Sequence, residues 1–197
     1  MNELEAALRR ASDDLEARGA RWALIGGFAV SARTEPRFTR DVDLALAVDD
    51  DAAAEALVRS LMDAGYGLIT MVEQTLTDRL ATVRMVAPLI GNSDIVVDLL
   101  FASSGIEREI TDAAEHLEIV PGLTLPIATT GHLIALKLLA RDDFHRPQDA
   151  ADLRLLAAAA SPEDLQIAGQ AVELIEARGF NRDRNLAAVL RALIAVT

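Results

Sequence analysis

The stretch from Trp22 to Val48 constrains this chain most. Trp22-Ala23-Leu24-Ile25 is a short apolar run that reads as a buried strand. Gly26-Gly27 turns it into a short helix, Phe28 to about Ala32, which Pro36 breaks. Asp41 to Val48 then alternates. Val42, Leu44, Leu46 and Val48 share one face, and Asp41 and Asp43 share the other, with Ala45 and Ala47 behind them. Two strands joined through a glycine turn and a helix read as part of an α/β or α+β domain.

The flanking segments extend that pattern. Residues 3–18 form an amphipathic helix with Leu4, Ala7, Leu8, Ala11 and Leu15 on one face, stopped by Gly19. Asp49-Asp50-Asp51 opens a helix that runs to about Met62, its carboxylates suited to the positive end of the helix dipole. The next strands expected are Leu80–Ala87 and Asp94–Phe101, joined by a hairpin turn over Pro88 to Ser93 that contains Gly91-Asn92. A short helix, Ile106–Ala114, precedes a second hairpin, Glu118–Val120 and Leu123–Ile127, around Pro121-Gly122. From Thr130 the chain turns helical: one helix to about Arg141, a polar break ending at Pro147, then helices over 148–160, 162–178 and 184–196. The expected fold class is α/β (α+β): a mixed sheet flanked by helices over residues 1–128, followed by a helical C-terminal part over 129–197.

Composition narrows the function classes. The 197 residues suit one domain, or one domain with a small helical extension. With no cysteine there are no disulfides, zinc–thiolate sites, iron–sulfur clusters or cysteine nucleophile, and His116, His132 and His145 lack metal-ligand spacing. The acidic start lacks the basic-then-apolar pattern of a signal peptide, and no apolar run approaches the ~18 residues of a membrane helix. No membrane contact and a cytoplasmic location are expected. A net charge of −12 argues against coating nucleic acid but leaves room for a local basic pocket.

Several residues have the makings of a site. Gly26-Gly27, between a strand and a helix, can cradle phosphate on free N–H groups, or can simply be a tight turn. Asp41 and Asp43 point the same way two residues apart; they repel unless a hard divalent cation such as Mg²⁺ (or Mn²⁺) neutralises them, or unless they lie on a solvated edge. Asp98 is one charge inside the apolar run Ile95–Leu100. It fits a third metal ligand, a general base, or a strand end near solvent. Lys137 is the only lysine of the chain. In its apolar helix it is either aimed at an anion such as a triphosphate or snorkels to the surface. Asp149 and Asp152, at i and i+3, either hold Lys137 or Arg146 in place or are exposed first-turn carboxylates.

Taken together, Gly26-Gly27-Phe28-Ala29, Arg37-x-Thr39-x-Asp41-x-Asp43 and the later block from Leu133 through Lys137 and Arg146 to Asp149-x-x-Asp152 resemble the nucleotidyltransferase superfamily. More specifically they resemble the AbiEii/AbiGii-type toxin nucleotidyltransferases (MenT-like proteins included) of type IV toxin–antitoxin and abortive-infection systems. The likeness spans roughly residues 20–155. It implies a nucleotidyltransferase-type sheet and a metal-dependent transfer of a nucleoside monophosphate from an NTP to the 3′ end of tRNA, blocking aminoacylation and translation. It implies Asp41, Asp43, Lys137 and Asp152 as catalytic residues, with Asp41, Asp43 and more loosely Asp98 holding Mg²⁺. Gly26, Gly27, Arg37, Thr39, Lys137 and Arg146 would bind the nucleotide, and a cognate antitoxin is the expected protein partner. The chain departs from the pattern at Phe28, which follows the glycine pair, and at Ala128–His132, where a more acidic helix start is usual; neither removes a catalytic group.

Thr39 shares the face of Asp41 and is a candidate regulatory phosphosite, because a phosphate there would compete with the NTP; an ordinary strand-start threonine is the plainer reading. Arg33, Arg37 and Arg40 beside the two aspartates, with Arg141 and Arg146 flanking Lys137, are expected to converge into one basic pocket suited to the tip of a tRNA. The alternatives are nucleotidyl transfer to a small molecule such as an aminoglycoside, transfer to a protein (AMPylation), and a non-catalytic binding module.

Overall fold

The computed structural model describes residues 3–74, 79–88, 94–142 and 147–195. It opens with helix α1 (Glu3–Glu16) and continues as β1 (Arg21–Ile25), α2 (Gly26–Arg33), β2 (Val42–Ala47), α3 (Asp51–Asp63), β3 (Gly67–Gln74), β4 (Arg79–Val86) and β5 (Val96–Leu100). There follow α4 (Glu107–Asp112), β6 (Glu115–Val120), β7 (Leu123–Ile127), α5 (Thr130–Ala140), α6 (Pro147–Ala159), α7 (Pro162–Ala177) and α8 (Leu186–Ile194). The strands form one seven-stranded mixed sheet in the order β3-β4-β5-β2-β1-β7-β6. β2 runs parallel to β5 and β1 parallel to β7, while the other neighbours are antiparallel. The α/β fold class is therefore as expected.

The alternation in β2 works as the pattern requires. Val42, Leu44 and Leu46 are fully buried, and Asp43 faces the other way. The strand begins at Val42, so Asp41 sits just ahead of it in the connection from α2. α1 and α3 cover one face of the sheet: Ala11, Leu15, Leu61 and Tyr66 meet Leu44, Met85, Val97 and Leu99. α2 packs on β1 and β2 and also on α5 and α6, and α5 is the hub that α6, α7 and α8 surround. One apolar core runs on across residues 128 and 129 into the helices.

Three boundaries differ from the sequence expectation for physical reasons. β3 has no counterpart in that reading. It is an edge strand exposed on both faces, with Leu68, Ile69, Met71 and Val72 at 40–54% exposure, so its sequence carries no alternation; only pairing with β4 makes it a strand. α2 starts at the glycine pair, two residues early, because Gly26 adopts φ +64° and serves as its first residue. β6 begins at Glu115 and is half exposed, so polar positions hide its first half. The Gly91-Asn92 turn lies outside the described residues, although the β4–β5 register is antiparallel as that turn predicts.

α5 starts on a Thr129 cap, whose hydroxyl accepts from the His132 N–H, and Thr129 Oγ1 lies 2.9 Å from His132 Nδ1. Burial pushes the His132 imidazole below its ordinary 6.5, Glu109 opposing weakly, and the helix N-terminus also disfavours the cation. The unfolded chain takes up a proton near pH 6.5 that the folded chain refuses. Unfolding free energy should therefore fall as pH drops through that value. Urea denaturation compared between about pH 7.5 and about pH 5.5 should show a smaller drop for His132→Gln than for the native chain; equal drops would remove His132 as the cause.

Candidate active site

Three neighbouring strands bring the chemistry into one row. In the sheet register Arg84 of β4 faces Asp98 of β5, Asp98 faces Asp43 of β2, and Asp43 faces Ile25 of β1. Side chains at matched register positions leave the same face of a sheet. Gly26 follows Ile25, and the backbone turn there is packed so closely on Asp43 that a Cβ on Gly26 would lie 1.9 Å from Asp43 Oδ2. Gly27 is as tight against the next connection: a Cβ there would meet Thr39 Oγ1 at 2.6 Å and Arg37 Nη2 at 3.0 Å. The glycine pair is thus required by contact with the residues that follow it, and the plain tight-turn reading understates it.

These residues wall a cleft of about 800 Å³ between the sheet and α5. Asp41, Asp43, Asp98, Arg37, Arg40, Arg84, Thr39 and Lys137 all line it, as does Arg182 from the α7–α8 connection. Arg182 and Asp183 both take left-handed backbone (φ 53° and 58°), an uncommon conformation for residues with side chains. Five cations and three carboxylates line the wall, in a chain of net charge −12.

Asp98 has a partner that the sequence reading did not name. It is buried, and both its oxygens are taken by Arg84: Nε donates to Oδ1 at 2.8 Å and Nη2 to Oδ2 at 2.6 Å. So held, both Asp98 oxygens already accept a hydrogen bond. The bonds to Asp98, together with the charges of Asp98, Asp41 and Asp43, push the Arg84 guanidinium further up from its ordinary value against the effect of burial. Arg84 was not among the sequence candidates. A signal was available: a hairpin about Gly91 places 84 opposite 98, and Arg84 alternates away from buried Val83 and Met85.

Behind the cleft wall lies a buried ionic cluster. Lys137 Nζ is 2.7 Å from Asp149 Oδ1 and 2.8 Å from Asp152 Oδ2. Arg37 Nη2 donates to Asp152 Oδ2 at 2.8 Å, with Arg37 Nε 2.8 Å from Oδ1. Asp149 and Asp152 are 0% and 1% exposed, so they are not exposed first-turn carboxylates. The i, i+3 pair on α6 does hold Lys137, and Asp152 also clamps Arg37, tying the α2–β2 connection to α5 and α6. Lys137 therefore reaches the cleft with its charge already shared by two carboxylates.

The expected basic pocket forms with different members. Arg33 turns away and binds the carbonyls of Ile127 and Ala128 and the carboxylate of Glu115. The carbonyl of Arg141 accepts from Arg184 at 2.6 Å. Arg146 lies outside the described residues. Arg84 and Arg182 take the places of Arg33 and Arg141 on the wall. Thr39 lines the cleft, its hydroxyl donating to the carbonyl of Asp41 at 3.4 Å. Glu107, pushed up by burial, accepts from the N–H groups of Ser103 and Ser104 and the Ser104 hydroxyl, fixing the connection after β5 along the floor.

The profile of the family described as nucleotidyl transferase AbiEii toxin, Type IV TA system, matches residues 7–195. This chain belongs to that family. AbiEii membership implies a nucleotidyl transferase activity, an NTP substrate and an antitoxin partner, and nucleotidyltransferases generally use a divalent metal. No curated protein sequence matches the chain significantly. Among solved structures it is similar to an antigenic nucleotidyltransferase-like protein from Paracoccidioides brasiliensis (20% identity, 96% of this chain and 93% of that one, TM-score 0.56). It is also similar to ANT(2″)-Ia in complex with adenylyl-2″-tobramycin (14% identity, 95% and 98% covered, TM-score 0.56). A third likeness is to the lincosamide antibiotic adenylyltransferase LnuA (15% identity, 81% and 100% covered, TM-score 0.50). At these identities the likenesses establish the nucleotidyltransferase fold. No helix among the described residues is long and apolar enough to cross a membrane.

The residues present fit a divalent metal. Among the described residues no group of three or more His, Asp or Glu is gathered for one. Mg²⁺, however, ordinarily takes one or two carboxylates and completes its shell with water and substrate phosphates. Asp41 and Asp43, hard oxygen donors on the cleft wall, would supply that pair, and Asp43 lies close against the Gly26 turn.

Proposed function

We propose that this chain transfers a nucleoside monophosphate from an NTP to the 3′ end of tRNA, releasing pyrophosphate, and so blocks aminoacylation and translation. The observation that carries this reading is the gathering of five Lys and Arg side chains on the cleft wall of an acidic chain. It favours an anionic acceptor over a cationic aminoglycoside, and it covers a tip rather than the length of a nucleic acid. Phe38 supports it: the ring is 78% exposed on the cleft wall with the Arg40 guanidinium 5.5 Å over it, an arrangement suited to stacking a nucleobase.

In the reaction the acceptor 3′-oxygen attacks the α-phosphorus and the bond from that phosphorus to the β-phosphate oxygen breaks. The acceptor hydroxyl gives up its proton to solvent, pyrophosphate leaves with the bonding pair, and negative charge grows on the attacking and leaving oxygens. Asp41 and Asp43 would hold Mg²⁺ or Mn²⁺, which supplies Lewis-acid stabilisation of that charge. The N–H groups of the Gly26-Gly27 turn and Thr39 line the triphosphate's place. Arg37, set by Asp152, and Lys137, set by Asp149 and Asp152, give fixed positive charge there without reorganisation. Asp152 is a positioning residue in this reading, since it sits behind the wall. Phosphorylation of Thr39 would place negative charge against the Gly27 turn, where phosphate must enter.

The test is incubation of the purified protein with Mg²⁺, each of the four α-labelled NTPs in turn and total tRNA, beside Asp41→Ala. Label should enter the tRNA band with one or more nucleotides and vanish in Asp41→Ala. Label in protein, or in an added aminoglycoside, with none in RNA would overturn the acceptor while keeping the transferase.

A further inference from the structure

The row Arg84–Asp98–Asp43 has a consequence for how many metal ions the site takes. Sites that clamp a transferring phosphoryl group between two metals need carboxylates that bridge or flank both ions. Here the carboxylate that would serve the second ion, Asp98, is buried and gripped by a two-pronged guanidinium. Bidentate arginine–carboxylate pairs are among the strongest charge-assisted hydrogen bonds, and this one is shielded on the Asp98 side, whose side chain is 8% exposed. Arg84 is itself 45% exposed at the side chain and lines the cleft, so its positive charge faces the substrate space.

We infer that Arg84 stands where a second metal would, holding Asp98 out of coordination, so that the cleft binds one divalent cation through Asp41 and Asp43 alone. This rests on the metal-dependent transfer proposed above and goes beyond it by setting the stoichiometry and by giving Arg84 a role. Arg84 is a positioning residue for Asp98 and a fixed positive charge beside the reacting phosphate. Because it is not exchangeable, a second metal cannot be titrated away from that place.

The probe is Mn²⁺, counted from the loss of the free-ion electron paramagnetic resonance signal, with and without a non-hydrolysable NTP analogue. The native chain should bind one Mn²⁺, Asp41→Asn should lose it, and Asp98→Asn should keep it. Arg84→Gln frees Asp98 and should raise the count from about one to about two, a gain that Asp98→Asn in the same chain should abolish. Two ions on the native chain, loss of the ion in Asp98→Asn, or a count unchanged in folded Arg84→Gln would each overturn the inference. The Asp98→Asn arm stands even if Arg84→Gln does not fold, which circular dichroism would show. A native chain that takes up no Mn²⁺ at all overturns the metal-dependent reading as well, whereas two ions overturn this inference alone.

Discussion

Lys137→Met should lower the unfolding free energy by about 3–5 kcal/mol, a large share of the roughly 5–15 kcal/mol typical of a domain. The reason lies in the buried cluster. The ammonium is shared by Asp149 and Asp152, which are 0% and 1% exposed, and methionine keeps the bulk of the side chain while removing the charge. Asp152 would still have Arg37. Equilibrium urea unfolding reads the loss directly. Lys137→Met with Asp149→Asn should recover part of it, because the carboxylate charge goes with its partner, and a double-mutant cycle gives the coupling. A lysine that served only the triphosphate would behave otherwise: the NTP KM would rise and stability would hold. A loss below about 1 kcal/mol would place the lysine with ordinary surface pairs and sink the view of it as a structural tie.

What could be read in the sequence, and what could not, divides by the range of the interaction. The glycine turn, the alternation of Val42, Leu44 and Leu46 and the caps of the helices are local, and periodicity exposes them. The order of the sheet is not local. β3 carries no alternation because neither face is buried, and β6 hides behind exposed polar positions. The site shows the same split. Asp41, Asp43, Gly26 and Gly27 stand within one strand–helix–strand unit, so their spacing announces them. Asp149 and Asp152 at i, i+3 announce a shared partner, and Lys137 is that partner. Arg84 and Arg182 come from a hairpin and a distant connection and meet the aspartates only through the fold. Arg33 lay beside the aspartates in sequence yet turns away, because a helix of 3.6 residues per turn points its last residue toward β7 and β6. Asp98 was placed on its strand, but its partner across the hairpin decides what it can do.

Gly26→Ala should reduce kcat/KM for nucleotidyl transfer on the order of 10²–10³-fold while the protein still folds. Two separate effects act at this residue. Its φ of +64° adds a penalty of roughly 1–2 kcal/mol for any side chain, which a folded domain can absorb. The methyl group also lands 1.9 Å from Asp43 Oδ2 and 2.5 Å from its carboxyl carbon, so the carboxylate must leave its place. Moving one of the two carboxylates of the proposed metal pair would disturb the ion, the phosphates it would hold and the alignment of the reacting oxygen together. Gly27→Ala separates nucleotide contact from metal contact. It presses on Thr39 and Arg37 rather than on Asp43, and its backbone is not left-handed. It should act mainly on the KM for NTP and leave Mn²⁺ binding near native, while Gly26→Ala should weaken Mn²⁺ binding as well as kcat. Steady-state kinetics in NTP and the Mn²⁺ count, read beside a thermal melt, check all three. Gly26→Ala with activity within a few-fold of native would mean that Asp43 is free to move without consequence, and Asp43 would then lose its place in the metal pair.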